Sequence, residues 1–303
     1  VKILLLGKNG QVGRELCRAL APLGELVAPG RDTADLRDQE GLRATLSACR
    51  PDAIVNAAAY TAVDLAESEQ SEASEVNALA VSTLARHARA TDALLVHYST
   101  DYVFDGTARQ PYAESDAPNP CNVYGATKLA GEQAIRDAGC GALVFRTSWV
   151  YSSHGRNFLK TILRLGQARE SLDVVSDQHG APTSAGLIAD TTALAIQRRF
   201  EGRLPTGTYH LAAAGSTSWH GFAQYIVAGA AARGMALALA PERIRAILAS
   251  SYPAAARRPG NSRLDTALLS RALDLQFPAW TAHVDQVLDR LIELGDSAWR
   301  AKA

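Results

Sequence analysis

The segment NVYGATKLAGE, residues 122–132, sets Tyr124 and Lys128 four apart in a stretch that reads as helix. That spacing places two side chains on one helix face, close enough for an ammonium to act on a phenol. A free tyrosine ionises near pH 10, and a neighbouring cation lowers that value by favouring the phenolate. When a hydride adds to a ketone, the oxygen becomes an alkoxide that needs a proton at once, and Tyr124 is suited to supply it. Thr100, in the run HYSTDYVF, offers a hydroxyl to the same oxygen. Acid catalysis of this kind is typically worth about 10² to 10⁴ in rate. Lys128 then works twice, tuning the phenol and bonding the ribose beside a nicotinamide.

These groups need a scaffold. Within residues 1–150 the runs KILLLG, ELVAP, DAIVNAAA, ALLVHYS and ALVFRTSW alternate with polar, helix-like segments. That rhythm predicts an α/β fold, a Rossmann-like doubly wound parallel sheet with crossover helices. The runs are nearly continuously apolar, as strands covered on both faces should be. Ser99, Thr100 and Asp101 fall at the carboxyl end of the fourth strand, where open parallel sheets bind ligands.

KILLLGKNGQVGREL places Gly7, Gly10 and Gly13 directly after the first strand and at the start of an amphipathic helix. Gly7 permits the tight turn, Gly10 admits a pyrophosphate to the backbone, and Gly13 allows close helix packing. Asn9, Gln11 and Val12 complete the loop, whose spacing is G-x-x-G-x-x-G. After the second strand Arg31 stands where an NAD-selective site would carry an acid. A guanidinium there suits a 2′-phosphate, which favours NADPH and leaves NADH open. Asp35, Leu36, Ala57, Ala58, Ala59 and Tyr98 are expected along the adenosine and pyrophosphate path.

Beyond residue 150, Pro and Gly punctuate more often, and residues 151–303 read as mainly a smaller substrate-binding lobe interleaved with the dinucleotide-binding residues 1–150. LDVVS and GTYHLAA still read as strands able to return to the first sheet. The acidic run ESEQSEASE reads as a solvated helix face. Of the 303 residues 47% are hydrophobic, and 31 Lys plus Arg balance 31 Asp plus Glu, which gives no footprint for nucleic acid or an anionic membrane and points to a small-molecule partner. YIVAGAAARGMALALA is interrupted by Arg233 and glycines, and the N-terminus lacks the regions of a signal peptide, so a cytoplasmic protein is expected. The four cysteines form no C-x-x-C pair and read as reduced structural thiols, and the seven histidines show no metal-ligand spacing.

A glycine loop, a strand-end hydroxyl and Tyr-x-x-x-Lys, in that order, resemble the extended short-chain dehydrogenase/reductase family. LLLGKNGQVGREL, PDAIVNAAAYTAVDLAE, HYSTDYVFDG, NVYGATKLAGE, FRTSWVY, DQHGAPT and RRPGNSRLD extend the resemblance to its nucleotide-sugar reductases over almost the whole chain. The resemblance implies reduction of the C4 ketone of dTDP-4-dehydro-β-L-rhamnose by NADPH or NADH, the last step in making dTDP-L-rhamnose. The related dehydratases carry Asp-Glu after the threonine; here Asp101 and Tyr102 follow Thr100, which leaves no elimination acid. By the same resemblance Thr100, Asp101, Trp149 and Tyr151 face the sugar, while Arg258, Asn261 and Ser262 reach toward the diphosphate. Some relatives are dimers bridged by Mg²⁺ between acidic side chains. Glu15 is present here, but Gly186 occupies the other acidic position, a departure that names no metal ligands in this chain and leaves both the Mg²⁺ bridge and a homodimer open. Two other readings share these features: a non-catalytic nucleotide-binding subunit resembling the regulatory subunit of methionine adenosyltransferase, and a reductase or epimerase of another nucleotide sugar.

Overall fold

A computed structural model describes residues 1–295; residues 296–303, the end of the expected second lobe, lie outside the described residues. The five apolar runs form strands β1 (Lys2–Leu6), β2 (Glu25–Val27), β3 (Ala53–Asn56), β4 (Leu94–Thr100) and β5 (Ala142–Thr147). They make one sheet with a sixth strand, Gly207–His210, in the order Gly207–His210, β5, β4, β3, β1, β2. Every pairing in it is parallel. All residues of β3, β4 and β5 are buried, because helices cover both faces.

On one face, helix α1 (Gln11–Leu20) packs with the helix Ala185–Phe200, burying Leu16, Leu20, Ile188 and Ile196. On the other, the helices Gln39–Cys49, Ala80–Thr91 and Val123–Ala138 bury Leu42, Leu46, Val81, Leu84 and Ile135. Strand order reverses between β1 and β3, and the turns after both strands open a crevice at their carboxyl ends.

GTYHLAA does return to the first sheet, as the edge strand beside β5. LDVVS does not: Leu172–Val175 pairs in parallel with Ile244–Ile247 instead. A second core, built around Leu163, Phe222, Ile226 and Leu288, joins the helices Phe158–Ala168, Trp219–Ala232 and Trp280–Glu293. No helix among the described residues is long and apolar enough to cross a membrane. The acidic run is largely exposed but does more than meet solvent. Glu67 accepts from the Val123 N–H, Glu69 from the Tyr60 hydroxyl, and Glu72 from Arg37.

Candidate active site

Three backbone segments converge where α1 begins. Gly7 has φ +85°, and a side chain there would meet the Ala58 backbone nitrogen at 2.6 Å. A side chain at Gly13 would run into the Gly7 carbonyl, so this glycine brings α1 down onto the turn. No side chain caps α1, whose first N–H groups are left to bind an anion.

This turn forms one end of a cavity of about 870 Å³. Gly7, Asn9, Gly10, Gln11 and Val12 line it, with Arg31, Asp35 and Leu36 beyond β2, Ala57, Ala58 and Ala59 from the turn after β3, and Tyr98 from β4. Gly13 supports the wall from behind. Arg31 is two-thirds exposed and donates from Nε to Asp35 at 3.4 Å. Arg37 grips the same carboxylate at 2.8 Å, and its hydrogen bonds hold Asp35 well below the ordinary carboxylate range against the opposing effect of burial.

Thr100, Asp101, Tyr124, Lys128 and Trp149 line the other end. Tyr124 and Lys128 ride on the helix Val123–Ala138, whose first turn is fixed by Asn122 accepting from the Gly125 N–H at 2.7 Å. Two glycines let this helix approach the site. A side chain at Gly125 would collide with the Tyr102 carbonyl, and one at Gly131 with the Asn77 carbonyl. Asn77 lies in a π-turn, Glu75–Leu79, and its side chain accepts from the Tyr60 N–H and donates to Thr127, tying helix to loop. Behind the site, Ser99 of β4 and Arg146 of β5 both donate to the buried Glu132 carboxylate, Arg146 at 2.9 and 2.6 Å. A buried pair of this kind fixes register more than it adds net stability.

Burial pushes the Tyr124 phenol up to about 12; the Asp101 carboxylate adds to the shift and the Thr100 hydroxyl opposes it. Desolvation of the half-buried ring, rather than the charge on Lys128, dominates the phenol. Lys128 is itself brought down to about 8 by burial, against the pull of Glu132, and its Nζ lies 3.2 Å from His97 Nε2. Burial raises Asp101 to about 7, opposed by hydrogen bonds from Ser262 and Thr100. Thr100 donates to Asp101 Oδ1 at 3.0 Å, and the Tyr102 ring meets Tyr124 edge-on at 5.9 Å.

Trp149 adopts φ +49°, a strained value for an indole residue, and stacks on Trp219 with centroids 3.5 Å apart and planes 8° from parallel. Gly180 lies under the Trp149 ring, where any side chain would come within 2.6 Å of it. Trp219 also lines the cavity; it escaped the sequence reading because its place depends on the second lobe folding over the first. Four expected substrate residues lie off the wall. Tyr151 is buried in the second core against Phe222. Arg258 is engaged with Asp64 at 2.6 and 3.1 Å, and Asn261 donates to the carbonyls of Ala108 and Gln110. Ser262 reaches the site only through Asp101.

The RmlD substrate binding domain family matches residues 1–293. The chain belongs to this family, the dTDP-4-dehydrorhamnose reductases. It is 48% identical to the dTDP-4-dehydrorhamnose reductase of Salmonella typhimurium, over 96% of this chain and 98% of that one. Against the reductase of Burkholderia thailandensis the identity is 50%, over 92% and 95%. Among solved structures, a dTDP-4-dehydrorhamnose reductase from Clostridium acetobutylicum superposes with a TM-score of 0.87 at 31% identity, covering 96% of this chain and all of that one. The Bacillus anthracis reductase, solved in complex with NADP, gives 0.85 at 33%, covering 95% and 99%. A Thermus thermophilus UDP-glucose 4-epimerase, at 18% identity and TM-score 0.77, shares the fold. In this family setting the glycine turn and the uncapped helix fit a nicotinamide dinucleotide: the cradle is backbone, and side chains at Gly7 and Gly13 would fill it.

A second cavity, of about 470 Å³, collects Glu15, Gly186 and Asp190 with Arg14, Arg18 and Arg290. Among the described residues no group of three or more His, Cys, Asp or Glu side chains is placed to hold a metal ion.

Proposed function

We propose that Tyr124, Lys128 and Thr100 carry the NAD(P)H-dependent reduction of the C4 ketone of dTDP-4-dehydro-β-L-rhamnose to dTDP-L-rhamnose. The observation that carries this reading is their place on one cavity wall, between a backbone phosphate cradle and an indole stack. The bound nicotinamide supplies the hydride. Tyr124, protonated throughout the neutral range, gives its proton to the ketone oxygen as negative charge develops there, and Thr100 orients that oxygen. Lys128 would bond the nicotinamide ribose and steady the phenolate left behind.

At the nucleotide end, Gly7, Asn9, Gly10, Gln11, Val12 and Gly13 form or support the pyrophosphate turn. Asp35, Leu36, Ala57, Ala58, Ala59 and Tyr98 flank the adenosine path. Arg31 is accessible to a 2′-phosphate, which supports NADPH over NADH. Trp149, Trp219 and Asp101 form the sugar wall. Residues 1–150 with Gly207–His210 serve the dinucleotide, the second core serves the sugar nucleotide, and the enzyme works in the cytoplasm.

The test mixes the protein with NADPH and dTDP-4-dehydrorhamnose and follows loss of reduced-nicotinamide absorbance. Oxidation by wild type is expected. Binding of NADPH without oxidation would hand the case to the non-catalytic subunit, and equal rates with a UDP-linked ketone would remove the thymidine assignment.

A further inference from the structure

Asn56, His97 and Lys128 form a line of buried polar side chains crossing from β3 through β4 to the helix Val123–Ala138, each no more than 2% exposed. The backbone orients the first of them: Asn56 Oδ1 accepts from the Ala58 N–H at 3.2 Å. Its Nδ2 therefore faces His97 Nδ1, also at 3.2 Å. An amide nitrogen can only donate, so Nδ1 has to accept. Burial, with Lys128 alongside, drives the imidazole well below its ordinary range and keeps it neutral. A neutral ring that accepts at Nδ1 carries its proton on Nε2, and Nε2 lies 3.2 Å from Lys128 Nζ. An N–H aimed at an ammonium sets donor against donor; aimed at a neutral amine, it meets a lone pair.

We propose that Asn56 and His97 are positioning residues for the reaction: Asn56 locks His97 as the Nε2–H tautomer, and that N–H sets where Lys128 stands and how readily its ammonium gives up a proton. Burial lowers Lys128 and Glu132 opposes it, and His97 is the uncharged side chain that touches its Nζ. Glu132, one turn further along the helix, favours the ammonium but shares its carboxylate with Ser99 and Arg146. Tyr124, one turn before, is neutral, and Asp101, from the turn after β4, acts on Tyr124. Asn77 and Thr127 on the π-turn side carry no charge. The consequence is a pH ceiling: above it Lys128 is an amine and no longer steadies the phenolate.

The pH ceiling rests on the role given to Lys128 under the proposed function, whereas the tautomer lock does not, so they are tested separately. Long-range ¹H–¹⁵N correlation on histidine-labelled protein, with the His97 signals identified by their loss in His97→Gln, reads the tautomer without substrate. A protonated Nε2 and bare Nδ1 are expected. In Asn56→Asp, whose carboxylate can only accept, the proton should move to Nδ1. A wild-type ring protonated at Nδ1, or at both nitrogens, overturns the lock.

The alkaline limb of kcat/KM for NADPH oxidation then tests control of the lysine. Asn56→Asp should move it upward by about one pH unit, since Nε2 now accepts from the ammonium. If that variant does not fold, Asn56→Leu frees the ring to switch and should move the limb in the same direction by less. A lower rate with an unmoved limb means a merely structural role and overturns the proposal. A wild type that oxidises no NADPH fails the proposed function and the pH ceiling with it, while the tautomer result still decides the lock.

Discussion

The two ends of the cavity are built from different materials. At the nucleotide end the wall is turn backbone and small residues, Gly7, Gly10 and Ala57 to Ala59, set by the turns after β1 and β3. At the sugar end it is a pair of stacked indoles, one from the turn after β5 and the other from a helix seventy residues later. Backbone N–H groups suit a phosphate that every nicotinamide dinucleotide carries, so the pyrophosphate turn needs no particular side chains. A sugar ring presents only flat apolar patches and hydroxyls, so the other end needs aromatic surface, and that surface has to be assembled from both lobes. Generic recognition is local in the chain here; selective recognition is long-range.

Substitutions can break this contrast. Tyr124→Phe removes the proposed proton donor without touching the phosphate turn. It should lower kcat/KM by about 10² to 10⁴ while NADPH affinity, measured by fluorescence titration, stays within twofold. Loss of both together would mean the two ends are not separable. Asp101 tests the strain stored at the chemical end. Its folded carboxyl is raised to about 7, above the ordinary value, so the native state holds the proton more tightly and stability falls as pH rises from about 4 to 7. Asp101→Asn should therefore be more stable than wild type at pH 8, by something of the order of 2 kcal/mol, and show no such gain at pH 4, as urea unfolding at the two pH values would read. An equal effect at both would rule out the linkage.

Trp219→Ala should raise KM for the keto sugar about tenfold, as loss of one stacked aromatic face predicts, with NADPH binding unchanged. A matching loss of NADPH affinity would place this indole at both ends. The smallest effect belongs to Arg31→Ala. An exposed charge is worth about 1 kcal/mol at most, so NADPH should weaken about fivefold and NADH hardly at all. Equal weakening would remove the 2′-phosphate role.

Legibility in the sequence followed the same division. The five strands and the glycine turn were readable because their signals sit within a few residues of one another. Tyr124 and Lys128 were readable because one helical turn joins them. The sugar side was harder. Tyr151 is one residue from the β5 turn, yet it packs on Phe222, far along the chain in the second core, and Arg258 is claimed by Asp64 across the fold. Trp219, Asn77 and Asn56 matter through partners distant in sequence. His97 left one trace, a lone polar ring inside the apolar run ALLVHYS, and a buried polar group in a central strand calls for a partner. The shift of Tyr124 is not legible from spacing, which reveals the neighbouring charge and not the desolvation of the ring.

The return of Gly207–His210 to the edge beside β5 bears on how the chain is made. Between β5 and that strand the polypeptide leaves the sheet, contributes a helix and a strand to the second core, and comes back through the helix that covers α1. A nascent chain that has emerged only through β5 carries the whole phosphate turn and the three side chains proposed for the reaction, yet leaves β5 with an open edge and α1 without its covering helix. Open edges and bare faces are where chains stick to one another. The order of synthesis therefore puts the chemistry on the ribosome before its protection, and the slow step of folding should be the arrival of the last strand of the sheet, a closure of high contact order.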